Sequence, residues 1–466
     1  MTSHSAEPLA GTTKKEMRTV LASCVVGTTV EWYDFFLYGT AAGIVFNELY
    51  FPAGDPLIST VLAFATFAVG FVARPIGGLV FGHIGDKIGR KKTLVATMLV
   101  MGIATMLMGL LPTYDHMGLA APIALVLLRI AQGIAVGGEW GGAVLMAVEY
   151  APDRRRGLFG SLPQVGLAIG LMLGTGIFAG LNTVMSSEAF LAWGWRIAFL
   201  LSAVLVFVGL YIRLKVMETP AFRKMQQQEQ RATVPAIELA RDPVNRRNTL
   251  LGMGSRWIEG VAFNAWAVFA ISYGTGTLGI DQQTLLLAVM SAAVFMLFFI
   301  PFFGSMSDTF GRRRTFAIGA VVAPVIGYPT FLMLETGNAL VITVGIVLAL
   351  GVLYPMMYGP QSSFYSELFP VNVRYTGISF VYQFSGIFAA GLTPMVLTAL
   401  LGLADGGFGL VVVYMLVAGV VSAACTLAIR HADLDEDTRE TATTGPTTSV
   451  ASEVSHHDGP EPRPQR

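Results

Sequence analysis

Apolar residues fill long runs of this chain, and polar or charged residues gather in the short intervals between them. A helix rising about 1.5 Å per residue needs roughly 20 apolar residues to cross a hydrocarbon layer of about 30 Å. Read against their breaks, the runs predict helices near 19–42, 57–81, 93–112, 121–147, 158–181, 195–214, 249–273, 284–306, 315–335, 338–366, 375–402 and 408–430. Segment 215–248 is the only long internal connection; it is charged and carries Pro220, Pro235 and Pro243. The expected organisation is a cytoplasmic N-terminal segment 1–18, a six-helix bundle 19–214, a cytoplasmic linker 215–248, a second bundle 249–430 and a tail 431–466. The tail is rich in Thr, Ser, Pro and acids and lacks heptads, a pattern that predicts disorder. The fold class is therefore an all-α membrane protein of twelve transmembrane helices in two six-helix bundles.

Composition agrees: 54% of residues are hydrophobic and 13% charged, about half the charged share of a soluble domain. A soluble enzyme, a disordered chain and a nucleic-acid binder all fit poorly. Net charge is zero and names no partner. Cys24 and Cys425 lie near opposite ends in apolar runs, which reads as two buried thiols. Charge does fix an expected orientation. Lys14, Lys15 and Arg18, then Lys87 to Lys92, Arg154 to Arg156, the linker, Arg312 to Arg314, Arg374 and the tail fall on one side, while the alternate connections hold no Lys or Arg. The positive-inside rule makes that side, and both termini, cytoplasmic.

The halves repeat one another. Gly82, Asp86, Gly89 and Arg90 after the second helix recur at an offset of 222 as Gly304, Asp308, Gly311 and Arg312 after the eighth. Glu149 and Pro152 after the fourth recur at 218 as Glu367 and Pro370 after the tenth, each followed by arginines, among them Arg374. Glycines permit sharp turns and close helix approach. The acids and bases suit a network that breaks and re-forms, so these residues are read as a state-dependent cytoplasmic gate. Taken alone, the basic residues could simply anchor the chain by the positive-inside rule.

The Gly-x-x-x-Asp-x-x-Gly-Arg-Lys/Arg loop resembles that of the major facilitator superfamily. The first helix adds Glu31-Trp32-Tyr33-Asp34-Phe35-Phe36, the second Arg74-Pro75-Ile76-Gly77-Gly78, and the fourth Arg129-Ile130-Ala131-Gln132-Gly133 and Gly137-Gly138-Glu139-Trp140-Gly141-Gly142-Ala143. The sixth opens Trp193-Gly194-Trp195-Arg196, and Glu218-Thr219-Pro220 follows it. Together these resemble the metabolite:H+ symporter family, which includes shikimate, 2-oxoglutarate, citrate and proline/glycine-betaine permeases. Gly-Gly-Glu-Trp-Gly-Gly-Ala and Arg256-x-x-Glu259 lean towards the shikimate branch. The resemblance runs from about residue 19 to 430 and implies two pseudo-symmetric bundles working by alternating access.

Charges inside a bilayer cost at least about 2.5–3.5 kcal/mol each on insertion scales, so each needs a partner or a role. Glu31 and Asp34 share a face of the first helix. Asp34 sits about 24 Å along it and Arg129 about 12 Å from the outer end of the fourth, which are comparable depths. A carboxylate beside an arginine is held ionised, and one moved from it into a dry, closed site takes up a proton. Asp34, Glu31 and Arg129 are accordingly the proton-coupling candidates, with a static buried ion pair as the plain alternative. Sugar/H+ symporters of the superfamily resemble this arrangement. Arg256 is the candidate for a forked contact with a substrate carboxylate, and Glu259 for hydroxyls or a proton, unless the two pair only with each other. Polar and aromatic candidates for the substrate cavity are Tyr33, Trp140, Gln164, Asn264, Trp266, Tyr354, Tyr358, Gln361, Tyr382 and Gln383. Glu139 is expected to meet the second helix through Arg74, and Arg196 to anchor the outer interface.

The expected function is proton-coupled import of a small carboxylated metabolite, such as shikimate or a related cyclic acid. The alternative is a proton-coupled importer of proline or glycine betaine, and, from another class, a transport-inactive membrane receptor. No nucleophile–base set or zinc-type Cys/His spacing points to an enzyme. The proton gradient stands in place of a cofactor. Partners are the substrate, H+ and the bilayer, with no nucleic acid; a monomer in the cell membrane is expected.

Overall fold

The computed structural model describes residues 14–52, 54–88, 90–137, 147–148, 151–216, 239–370 and 373–430; the side chains of 14–20, 79, 82–88, 90–94, 153 and 212–216 are not described. These residues form twelve long helices: α1 (14–49), α2 (Pro56–Ile88), α3 (Arg90–Leu110), α4 (Ala120–Val136), α5 (Arg156–Val184), α6 (187–216), α7 (243–276), α8 (Gln282–Phe310), α9 (Arg312–Glu335), α10 (Ala339–Ser366), α11 (Arg374–Leu403) and α12 (Gly409–Ala428). Eight of the described helices are long and apolar enough to cross a membrane, and α3 and α4 add shorter apolar segments. The two remaining helices, α1 and α7, carry Glu31, Asp34, Arg256 and Glu259, which lower their apolar content.

Several helices are broken where the sequence removes or frees a backbone bond. Pro163 opens α5 into a turn over 162–164, and its carbonyl accepts the Thr28 hydroxyl at 2.8 Å. A π-turn over Val347–Leu353 precedes Tyr354-Pro355 in α10, and proline has no N–H to continue the ladder. Arg256 interrupts α7 between Ser255 and Trp257. Further π-turns occupy Ala42–Phe46 of α1 and Ala265–Phe269 of α7, places separated by 223 residues. Such turns concentrate at functional sites.

Helix pairings recur six helices later. In the first half α1 packs on α5 and α6, α2 on α4, and α3 on α6. In the second half α7 packs on α11 and α12, α8 on α10, and α9 on α12. The halves meet through α2 against α11 and α5 against α8 and α10. These contacts depend on small residues: a Cβ on Gly77 would overlap the Ile134 carbonyl, and one on Gly137 the Arg74 carbonyl. Large apolar side chains such as Phe207, Phe298 and Val420 stay on the outer surface, where lipid tails would meet them.

The halves touch at both ends. On the face where α1 begins and α12 ends, the Asp308 carboxylate accepts the N–H groups of Gly157 (2.7 Å) and Leu158 (3.0 Å), and Ser363 donates to the Arg156 carbonyl. On the opposite face, Gln283 donates to Thr183 at 3.1 Å, and Gly43 lies against Ser272. The halves are thus joined on both faces among the described residues.

Candidate functional site

One relay of polar side chains lies in the first half. Asp34 of α1 is 1% exposed, and Thr105 of α3 shares its hydroxyl proton between Asp34 Oδ2 (2.9 Å) and the Met101 carbonyl (3.0 Å). Gln132 of α4 donates to the Thr105 oxygen at 2.8 Å, and Arg129 donates to Gln132 Oε1 at 2.5 Å. Asp34 and Arg129 are therefore joined through Thr105 and Gln132. The Asp34 Oδ1 and Arg129 Nε atoms have no hydrogen-bond partner among the described residues. Arg129 stacks on Tyr38, 4.1 Å from its ring centre. Glu31, Asp34, Arg74, Arg129 and Gln132 line one narrow cavity.

A second network lies in the other half. Arg256 Nε is 3.2 Å from Glu259 Oε2, its Nη1 donates to the Tyr382 carbonyl (2.8 Å) and Ser385 (3.1 Å), and its guanidinium lies 3.7 Å over the Tyr382 ring. Glu259 is filled in turn: Tyr354 donates to Oε1 at 2.6 Å and Gln361 to Oε2 at 3.2 Å. Gln164 of α5 then reaches Gln361 Oε1 and the Tyr358 carbonyl, both at 3.4 Å, and Gln383 of α11 donates to the Gly137 carbonyl at 3.0 Å. The second network thereby crosses to the first half.

A family model described as "MFS/sugar transport protein" matches residues 142–432, and one described as "Sugar (and other) transporter" matches residues 20–249. The shikimate transporter of Escherichia coli (strain K12) is 37% identical over 431 residues, covering 91% of this chain and 98% of its own. The chain belongs to the major facilitator superfamily. The inner membrane metabolite transport protein YhjE of the same organism is 40% identical over 81% of this chain and 86% of its own. Its proline/betaine transporter is 34% identical over 81% and 77%. A solved D-xylose-proton symporter has the same fold, with a TM-score of 0.68 and 18% identity over 89% of this chain and 97% of that one. The chain is thus a membrane transporter of small molecules and not an enzyme.

Within this major facilitator protein, Arg256 and Glu259 form the mutual pair that the spacing allowed, with Tyr354 and Gln361 on the same acid. Gln164 and Gln361 meet, although Gln164 opens α5 near its end; the Pro163 turn carries it inward, to 1% exposure. Asn264 bonds its own helix at Gly260 and leaves Oδ1 without a partner among the described residues, as do Gln164, Gln383 and the Tyr358 hydroxyl. Tyr33 turns the other way: its hydroxyl donates to the Ala198 carbonyl of α6 at 2.7 Å, which satisfies a buried phenol inside the bundle. Trp266 packs on Phe331 of α9, away from these groups. Arg196 caps α3 by donating to the Gly109 and Leu111 carbonyls.

For the gate, Asp308 pairs with Arg312 at 3.1 Å, Arg312 also contacts Glu367, and Gly311 makes the α8–α9 turn at φ 93. Arg374 donates to the Phe369 carbonyl. Trp140, Glu139, Gly89 and Glu149 lie outside the described residues, as do the side chains of Asp86 and Arg90; Gly82 lies in the same stretch. Thr105 and Ser385 join these networks at positions that sequence reading passes over, because a hydroxyl in an apolar helix carries no distinctive pattern. Gln132 had a signal: it stands three residues from Arg129 on the same helix face.

Proposed function

We propose that this transporter imports a small carboxylated metabolite, of the shikimate or cyclic hydroxy-acid type, together with one or more protons and by alternating access. The proton gradient drives it, and Asp34 carries the proton. The reading rests on the Asp34–Thr105–Gln132–Arg129 relay, a buried acid held to a buried guanidinium through two neutral side chains. Such a relay can transmit a change in the charge of Asp34 to α3 and α4, and a movement of α4 back to Asp34. Glu31, in the same cavity, is the other acid able to take that part. Both termini face the cytoplasm in this reading, and the molecule acts as a monomer.

The test is Asp34→Asn in reconstituted vesicles. Accumulation against a gradient should be lost, while exchange of substrate across the membrane persists in part. Unchanged accumulation would remove Asp34 from the mechanism.

Import of proline or glycine betaine is the second reading, favoured by the proline/betaine relatives and by aromatic faces at the centre. Trp32 and Phe36 stack with centres 5.4 Å apart, and Phe263 of α7 lies 5.2 Å from Phe36, a surface suited to a quaternary ammonium group.

A further inference from the structure

Two buried guanidiniums from different halves face the centre of the molecule, Arg74 from α2 and Arg256 from α7, and Tyr382 lies within electrostatic reach of both. Their surroundings differ in kind. Arg256 is engaged by Glu259, the Tyr382 carbonyl and Ser385, and its face is covered by the Tyr382 ring. To take a substrate carboxylate it would have to abandon a carboxylate it already holds.

Arg74 is 5% exposed; among the described residues its guanidinium shows no close hydrogen bond or ion pair, and Glu31 is the acid whose charge reaches it. Its contacts are the ring faces of Phe71, 4.4 Å away, and Phe35, 5.5 Å away. Stacking uses the π-face of a guanidinium and leaves its planar fork of N–H donors free. That fork matches a carboxylate in a two-point contact. The backbone beneath it is fixed, because Gly137 of α4 packs directly on the Arg74 carbonyl. The side chain opens on the cavity that Glu31, Asp34 and Arg129 also line. Held by stacking and by the charge of Glu31, the guanidinium keeps N–H donors that an incoming anion can take.

We propose that Arg74, and not Arg256, receives the carboxylate of the transported molecule, which places that carboxylate in the same cavity as Asp34. The inference rests on the carboxylated substrate of the proposed function, and it holds equally for the second reading, since proline and glycine betaine also carry a carboxylate. It gives coupling a local cause. The cavity lining sets two acids, Glu31 and Asp34, against two guanidiniums, Arg74 and Arg129. A carboxylate entering beside them adds a negative charge that a proton on one of the acids would offset.

The experiment measures binding to the purified full-length protein of shikimate, 4-hydroxybenzoate, proline and glycine betaine, and of the neutral amides of the first two. Arg74→Gln should weaken whichever acids bind by about ten- to a hundredfold, the size expected for a charge-assisted contact, down to the level of the amide. Arg74→Lys should recover part of the loss, which shows that the site is folded. Arg256→Gln should weaken acid and amide alike. Acid binding by Arg74→Gln equal to that of the unmodified protein would overturn the proposal, as would loss of the acid–amide difference in Arg256→Gln alone. Silence of the unmodified protein towards all four acids would instead overturn the carboxylate reading, and this assignment with it.

Discussion

A single carboxylate decides the energetics at the centre of α1. Asp34 is buried, holds one bond from Thr105 and has one oxygen without a protein partner among the described residues. Thr105 is the joint of the relay, because its oxygen also accepts from Gln132. Thr105→Val keeps the shape and removes the hydroxyl, so Asp34 and the Gln132 amide each lose a partner at a cost of about 1–3 kcal/mol per group. We expect lower thermal stability together with weaker proton-driven accumulation, read by unfolding in detergent and by vesicle uptake. Lower stability with full accumulation would show that the relay only holds helices together. At this scale the charged members were legible in the sequence, since Glu31, Asp34, Arg129, Arg256 and Glu259 stand out within apolar runs. Their wiring was not. Asp34 reaches Arg129 through two neutral residues, and which hydroxyl or amide bridges a gap depends on helix rotation, which spacing along one chain does not give. Tyr33 shows the same limit, since only packing reveals that it faces α6.

Between elements, α2 and α4 bring the relay and Arg74 into one place, and they do so by backbone contact. Gly70 and Gly77 of α2 face Gly133 and Ile134 of α4, and Gly137 faces Arg74. Without a hydrophobic drive between helices in lipid, such close approach of small residues is what holds a pair together. Gly77→Val would drive its Cβ into the Ile134 carbonyl, so α2 must separate from α4. Loss of monodisperse protein, or a fall in unfolding temperature of several degrees, is expected. A variant as stable as the parent would mean that the pair is held elsewhere. The helices themselves were legible from apolar run length, and most observed ends fall within a few residues of the expected ones. The break at Tyr354-Pro355 was also legible, because proline cannot donate to the ladder. The π-turns at Ala42–Phe46 and Ala265–Phe269 were not, since no proline marks them.

Across the whole molecule, the two halves are joined at both ends and at the centre, and transport requires one end to part while the other stays closed. On the face where α1 begins and α12 ends, Asp308 of the second half caps the first turn of α5 in the first, placing negative charge at a helix N-terminus where the N–H groups lack partners. Arg312, itself paired with Glu367, holds that acid in place from its own half. At the centre, Gln164 links to Gln361, which also holds Glu259, and Gln383 links to Gly137. The repeat that produces this arrangement was legible from the recurrence of Gly, Asp and Arg at a fixed offset, whereas the partner across the interface, a backbone N–H pair, was invisible in the sequence. What unites the scales is the claim that substrate and proton enter together. It is tested most directly by the purified protein in vesicles containing a pH dye, with labelled shikimate, 4-hydroxybenzoate, proline and glycine betaine added in turn. The carboxylate that enters should acidify the interior as it does so, and Asp34→Asn should allow exchange without acidification. Entry of a labelled substrate into vesicles of the unmodified protein with no change in internal pH would contradict it.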